Sequence, residues 1–416
     1  MTSVTSTNHS LSEPAGASSD DEAGDSRVQS TENPDPSQAI PTSSKARAKR
    51  RIAALEDELA MMRQEKGGKK RKTTFYISQG RAIRRLIVLY QTMQDLITEN
   101  DRRYEFHSSV QSTTEQNRSQ KGYVELTRVL PWLHEKLSDL DDEDSADMLK
   151  KLKKGADAAR GDDTSSLKEL VATWVNQEFR PSPLIKPNDK YLRGFANDIC
   201  GKLLCPAEWD WDKNSVKAGI RDRTSEYIIS ENSWPLLVYE KYQYNSDDVE
   251  EGFLKSKLLV LAFKAVFTSP SSAREADGDG DGADILENNR RAHRKSEHTK
   301  VKTCVASIIN MKKVMPRAIA YVVCQVRFAL SSVSSWRTVD GDFDYEVFWN
   351  NIVDYFEVLP GPVAKRKVDK LLEWWNRKIF GTNHREDLTL EVVSHMSVNA
   401  LAEQRKRLED AVFDSD

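Results

Sequence analysis

Cysteine is scarce. Four residues, Cys200, Cys205, Cys304 and Cys324, are spread over 416 positions without the dense or regular spacing of a disulfide framework, which suits reduced thiols in a cytosolic or nuclear setting. No apolar run of about 18 residues occurs, so no membrane span is expected. The N-terminus, Met1-Thr2-Ser3-Val4-Thr5-Ser6, has neither a basic region nor an apolar one, so secretion is not expected either. Charge of one sign is also lacking. A net charge of -3 provides no global field toward nucleic acid or anionic lipid, so partner arguments have to be local. Phosphate loop, dinucleotide fingerprint, nucleophile elbow, HExxH and kinase signatures are all missing from the chain.

With 38% apolar and 31% charged residues and a mean hydropathy of -0.64, much of the length is not core. One folded domain of roughly 300 residues with disordered additions fits better than two or three domains. Residues 1 to 44 carry seven acids against the single base Arg27 and no aromatic residue, which predicts a disordered tail. Residues 45 to 72 then hold eleven bases against four acids. The bases cluster around Lys49, Arg50 and Arg51 and again at Lys69, Lys70, Arg71 and Lys72. These seven are the candidate nuclear-import or nucleic-acid contacts. Between the clusters, Ile52, Leu55, Leu59 and Met62 form an a/d seam of about two heptads that stops at Gly67-Gly68. Such a seam predicts a marginal helix or a weak coiled-coil dimer.

The folded body reads as helical from Thr73. Two core helices stand out, Phe253 to Phe267 and Arg317 to Leu330, each leaving through a Ser-rich exit. Gln325 and Arg327 alone interrupt the apolar run from Ile319 to Leu330. An amphipathic helix from Ile83 to Ile97 is expected to turn Arg84, Arg85 and Gln94 to solvent. A helix from Gly122 to Leu140 should kink or divide at Pro131. Asp139 to Asp144 begin a helix through Leu152, and Gly161-Asp162-Asp163-Thr164 announces a separate one, Ser165 to Glu178. Residues 180 to 213 read as a long ordered loop, and Trp234 to Tyr244 as a helix with Pro235 in its first turn. Aromatic-faced helices follow at Tyr345 to Val358 and Val363 to Phe380.

The expected fold class is therefore all-α. It comprises a single multi-helix domain over 73–405 with little or no sheet, a disordered tail over 1–72, a flexible acidic insert at 270–300 and a disordered tail over 406–416. The insert contains Asp277, Asp279 and Asp281 at calcium-loop spacing, but the required acid at position twelve is Asn288. His293, His298 and Cys304 lack the paired spacing of a zinc site, so neither metal nor cofactor is expected, and no residue is assigned as catalytic. Arg327 must be paired, must snorkel or must face a site. An internal ion pair is the first expectation and a ligand-facing role the second. Trp374-Trp375-Asn376-Arg377 reads as packing.

Several segments in order carry a resemblance. They are Ala156 to Lys168, Leu204-Cys205-Pro206-Ala207 with Trp209-Asp210-Trp211, Leu258 to Ala273, Gln325 to Ser332, and Trp374 to Phe380. Over roughly 73–405 the chain resembles a family of proteins from mushroom-forming basidiomycete fungi that share a domain of unknown function. The resemblance implies no activity, cofactor or catalytic residue. The expected function is thus a non-enzymatic helical protein-interaction module, nuclear and associated with chromatin or nucleic acid through 45–72. The alternative is an enzyme of unrecognised type, of mobile-element origin, with a helical pocket near Arg327.

Overall fold

A computed structural model describes residues 51–52, 55, 72–105, 112–295, 303–381 and 389–413. The chain divides into two units, 1–65 and 66–416. Of the first, Arg51, Ile52 and Leu55 are described, all helical and exposed. Lys49, Arg50, Lys69, Lys70 and Arg71 lie outside the described residues, as does most of the predicted a/d seam, and Lys72 is exposed at the start of the second unit.

The second unit is all-α with one two-stranded sheet among the described residues. Its centre is α12 (Pro316–Leu330), in which every residue after Pro316 is buried. Pro316 opens the helix, where its missing N–H costs nothing. Around it pack α2 (Ile83–Leu86), α6 (Asp142–Phe179), α7 (Asp198–Leu204), α9 (Lys257–Phe263) and α13 (Tyr345–Glu357). A helix covered on all sides is apolar nearly all round, and Arg317, Gln325 and Arg327 are the buried polar exceptions here. The two central helices predicted from sequence are in contact as α12 and α9. The α9 helix starts later than expected, at Lys257 under a Ser256 cap, and leaves through a π-helical turn, Lys264–Thr268.

The expected break at Gly161 does not occur. The α6 helix runs unbroken for 38 residues, or about 57 Å. Asp141 caps its first turn and an acidic run complements its dipole. Gly161 carries the usual glycine cost of up to about 1 kcal/mol. Its neighbours are held from outside, because Asp157, Asp162 and Asp163 pair with Arg84, Arg81 and Arg85.

Those pairs also overturn the solvent face expected at Arg84 and Arg85. Both are buried, and only Gln94 of the predicted trio is exposed. The expected single helix is two, α2 and α3 (Met93–Glu105), with an irregular turn between them. The α2 helix lies against α6 and α12 and has no free face to offer solvent. A further crossing joins the helical stretch 72–80, α1, to α6. A Cβ on Gly80 would lie 2.1 Å from the Leu152 carbonyl oxygen, and one on Gly155 would lie 2.0 Å from that of Ile77. Glycine in both helices lets the backbones touch there.

Division at Pro131 is observed, between α4 (Thr114–Val129) and α5 (Trp132–Asp139). The 180–213 loop contains α7, and α8 (Asn214–Arg221) follows it. Trp234 to Tyr244 forms two single 3₁₀ turns instead of a helix, and Pro235 is extended. The bridges Pro206–Pro235 and Tyr239–Phe253 take its backbone bonds.

Within the expected flexible insert, Gly282–Lys295 is a helix, α10. The preceding Asp-Gly run is tied to the end of α14 (Pro362–Phe380): Gly280 N donates to Arg377 O at 2.9 Å, and Asp279 lies 3.4 Å from the Arg377 guanidinium. Between α10 and α12 lies the single turn α11 (Val305–Ile308), and after α14 come α15 (Leu390–Ser394) and α16 (Ser397–Phe413), so helix continues past 405 into the expected tail. Trp375 is fully buried and donates to Leu254 O, consistent with the packing role read for its cluster.

Candidate functional site

Where α12 ends, the chain opens a cleft of about 520 Å³. One wall is the 191–196 segment and a second is the end of α8 with the 222–229 segment that follows it. The third is a hairpin, β1 (Val339–Asp340) and β2 (Phe343–Asp344), with Gly341-Asp342 at its tip. Gly341 has φ +66°, the conformation a two-residue hairpin needs at its first central position. The hairpin therefore carries Asp340 and Phe343 to the end of α12.

Arg327 lies at the floor. It is 4% exposed, its Nη1 donates to Tyr345 Oη at 2.8 Å, and its guanidinium lies 3.1 Å from the Phe343 ring centroid. Asp340 is the nearest carboxylate at 4.0 Å, at the limit of an ion pair. Among the described residues Nη1 alone of its three nitrogens has a hydrogen-bond partner. The expected internal pairing is thus loose, and the guanidinium also lines a cavity.

Two further cations are buried nearby. Lys190 Nζ donates to Phe328 O at 2.5 Å and sits over the Phe328 ring. Arg193 donates from Nη1 to Ala329 O at 2.7 Å. Its Nη2 reaches Lys186 O and Pro187 O at 3.0 and 2.8 Å, and its Nε reaches Asp189 O. These bonds fold the proline-rich loop onto the last turn of α12, where Arg193 supplies a donor to the Ala329 carbonyl and Lys190 joins Ser331 on that of Phe328. Burial, reinforced by Arg193, brings the Lys190 ammonium down to about 7. Burial also lowers Arg193. On the rim, Arg223 pairs with Asp342 at 2.7 Å, and Arg221 pairs with Asp198 at 2.7 Å. Phe195, Tyr227 and Ile229 supply apolar surface.

None of the four cysteines lines the cleft, and three of them are buried. Burial pushes Cys200 up to about 11 and Cys205 up to about 12, and raises Cys324 further. Among the described residues no group of three His, Cys, Asp or Glu side chains is placed to hold a metal ion, and His298 lies outside them. No described helix is long and apolar enough to cross a membrane.

Sequence reading singled out Arg327 and missed Lys190, Arg193, Asp340 and Arg223. One signal was available: Asp340-Gly341-Asp342 between Val339 and Phe343 is a hairpin-turn pattern. For Lys190 and Arg193 there was none, since their acceptors are backbone carbonyls up to 138 residues away.

Residues 154–380 match a family of unknown function designated DUF6698. No curated protein matches the chain, and no solved structure does. The matched region covers more than half of the sequence and includes every residue that lines the cleft. The chain belongs to this family.

Proposed function

We propose that this member of the DUF6698 family is a non-enzymatic helical interaction module, and that the cleft at the end of α12 is its recognition site. One observation carries the reading. Arg327 is a nearly fully buried guanidinium that lines a cavity with two nitrogens unpartnered among the described residues. Such nitrogens on a cavity wall are donors that a bound group would complete. The test is co-purification of the full chain from the basidiomycete source that the resemblance implies, with and without nuclease. It compares wild type with a cleft plug, Ala196→Trp, at an exposed lining position. A partner or small molecule retained by wild type and lost by the plug is expected. An identical bound set in both would overturn the reading.

For the segment 45–72 we propose nuclear import and attraction to chromatin or nucleic acid through Lys49, Arg50, Arg51, Lys69, Lys70, Arg71 and Lys72. The excess of eleven bases over four acids supports it. A reporter fused to residues 1–80 should enter the nucleus and lose that distribution when Lys69 to Lys72 become Ala. Any direct nucleic-acid binding should weaken steeply with salt and show no sequence preference.

A second reading, an enzyme of unrecognised type and mobile-element origin, draws on the juxtaposition of Asp340 and Arg327 on one cavity wall. It requires turnover that Asp340→Asn abolishes.

A further inference from the structure

We infer that the cleft is built for a small organic anion, a carboxylate or phosphate carried on an apolar body, with Arg327 as its anchoring group. The inference rests on the cleft being the recognition site.

Charge is the first argument. Lys190, Arg193 and Arg327 are each 5% exposed or less, and they converge on the last turn of α12. A helix C-terminus repels anions. Here Lys190 donates to Phe328 O and Arg193 to Ala329 O, which reduces that repulsion before a ligand arrives. Arg193 spends its donors on four backbone oxygens, and the rim arginines Arg221 and Arg223 are committed to Asp198 and Asp342. Arg327 is left as the buried cation of the lining with unpartnered nitrogens among the described residues, whereas the remaining donors of Arg221 and Arg223 lie on the solvent-exposed rim.

Geometry is the second. Phe343 stacks on the guanidinium and Tyr345 Oη holds Nη1, so the plane of the fork is fixed while Nε and Nη2 stay available. A fixed fork with two donors matches the two oxygens of a carboxylate or phosphate. Asp340 stops at 4.0 Å, outside hydrogen-bond reach, so it tempers the charge without filling the fork. The third argument is the wall. Phe195, Tyr227 and Ile229 face a space of about 520 Å³, within the size range of small-molecule sites.

The experiment is calorimetric titration of the full chain with phenyl phosphate, phenylacetate, inorganic phosphate and the cation phenethylamine. At least one aromatic anion should bind, more tightly than inorganic phosphate. Whether phenyl phosphate or phenylacetate is preferred identifies the head group. Arg327→Lys keeps the charge but loses the fork, and should weaken the anion roughly tenfold or more. Asp340→Asn removes the competing carboxylate and should tighten it roughly tenfold. Opposite signs from the two variants are expected, and the Asp340→Asn arm stands even where Arg327→Lys fails to fold. Binding of phenethylamine with weakening by Asp340→Asn would overturn the anion assignment and leave the recognition site standing. Silence of all four probes at millimolar concentration, while Ala196→Trp still loses the native partner, would overturn it in the same way. Retention of every partner by Ala196→Trp would remove the recognition site itself.

Discussion

Arg85 and Asp163, 78 residues apart in sequence, meet in a two-point ion pair inside the helical domain. Nε reaches Oδ2 at 2.8 Å and Nη2 reaches Oδ1 at 2.7 Å, with both side chains less than a tenth exposed. Tyr321 of α12 donates to the same Oδ2 at 2.7 Å, so one carboxylate joins α2, α6 and α12. Removing it strands a buried guanidinium. Asp163→Ala should cost roughly 3–5 kcal/mol in urea unfolding. Tyr321→Phe, which removes one bond to a charged acceptor, should cost roughly 1.5–3 kcal/mol. Losses below about 1 kcal/mol in both would mean the junction is dispensable.

Two glycines of α6 should respond with opposite signs. A Cβ at Gly155 would collide with the Ile77 carbonyl, whereas one at exposed Gly161 meets nothing within 4 Å. Gly155→Ala should destabilise by at least about 1–3 kcal/mol through overpacking. Gly161→Ala should stabilise by about 0.5–1 kcal/mol through helix propensity and a less disordered unfolded chain. Thermal unfolding of the two variants beside wild type decides it.

Lys190 should make stability depend on pH. Its folded value of about 7 lies below the ordinary 10.5, so between those limits the unfolded chain binds more protons at this site. Stability must then rise with pH across that window and level off above it. The rise attributable to this residue should be on the order of a few kcal/mol. Lys190→Met should flatten it, read as the difference between wild type and variant in urea unfolding at pH 7.0 and 9.5. Equal slopes in the two proteins would place the proton elsewhere.

Arg193 is the pin of the proline-rich loop. Arg193→Met strips a donor from four backbone oxygens at Lys186, Pro187, Asp189 and Ala329. Limited proteolysis should then cut within 182–193, where the wild-type chain should resist, and global stability should fall by at least about 3 kcal/mol. A cleavage pattern unchanged from wild type would show that the loop is held by something else.

Local pattern carried part of this structure. The apolar run of α12 was legible to within a residue, because no partner had to be known to see that such a surface must be covered. Pro131 divided its helix as the missing N–H requires. At Gly161-Asp162-Asp163-Thr164 the local start signal was sound, but Arg81 and Arg85 neutralise two of those acids in mid-helix. Arg84 and Arg85 were read as solvent-facing for the same reason, since their acids lie 73 and 78 residues further on. The helix expected at Trp234 to Tyr244 yielded to bridges with Pro206 and Phe253.

At the cleft, sequence marked Arg327 as an anomaly and could go no further. Composition and periodicity by themselves determined an all-α domain and most of its apolar faces, because helix pattern is written within a few turns of chain. Tertiary structure alone decided which charges are buried, what each one meets and where a cavity remains. A buried charge is made tolerable only by its partner, and here those partners arrive from distant segments.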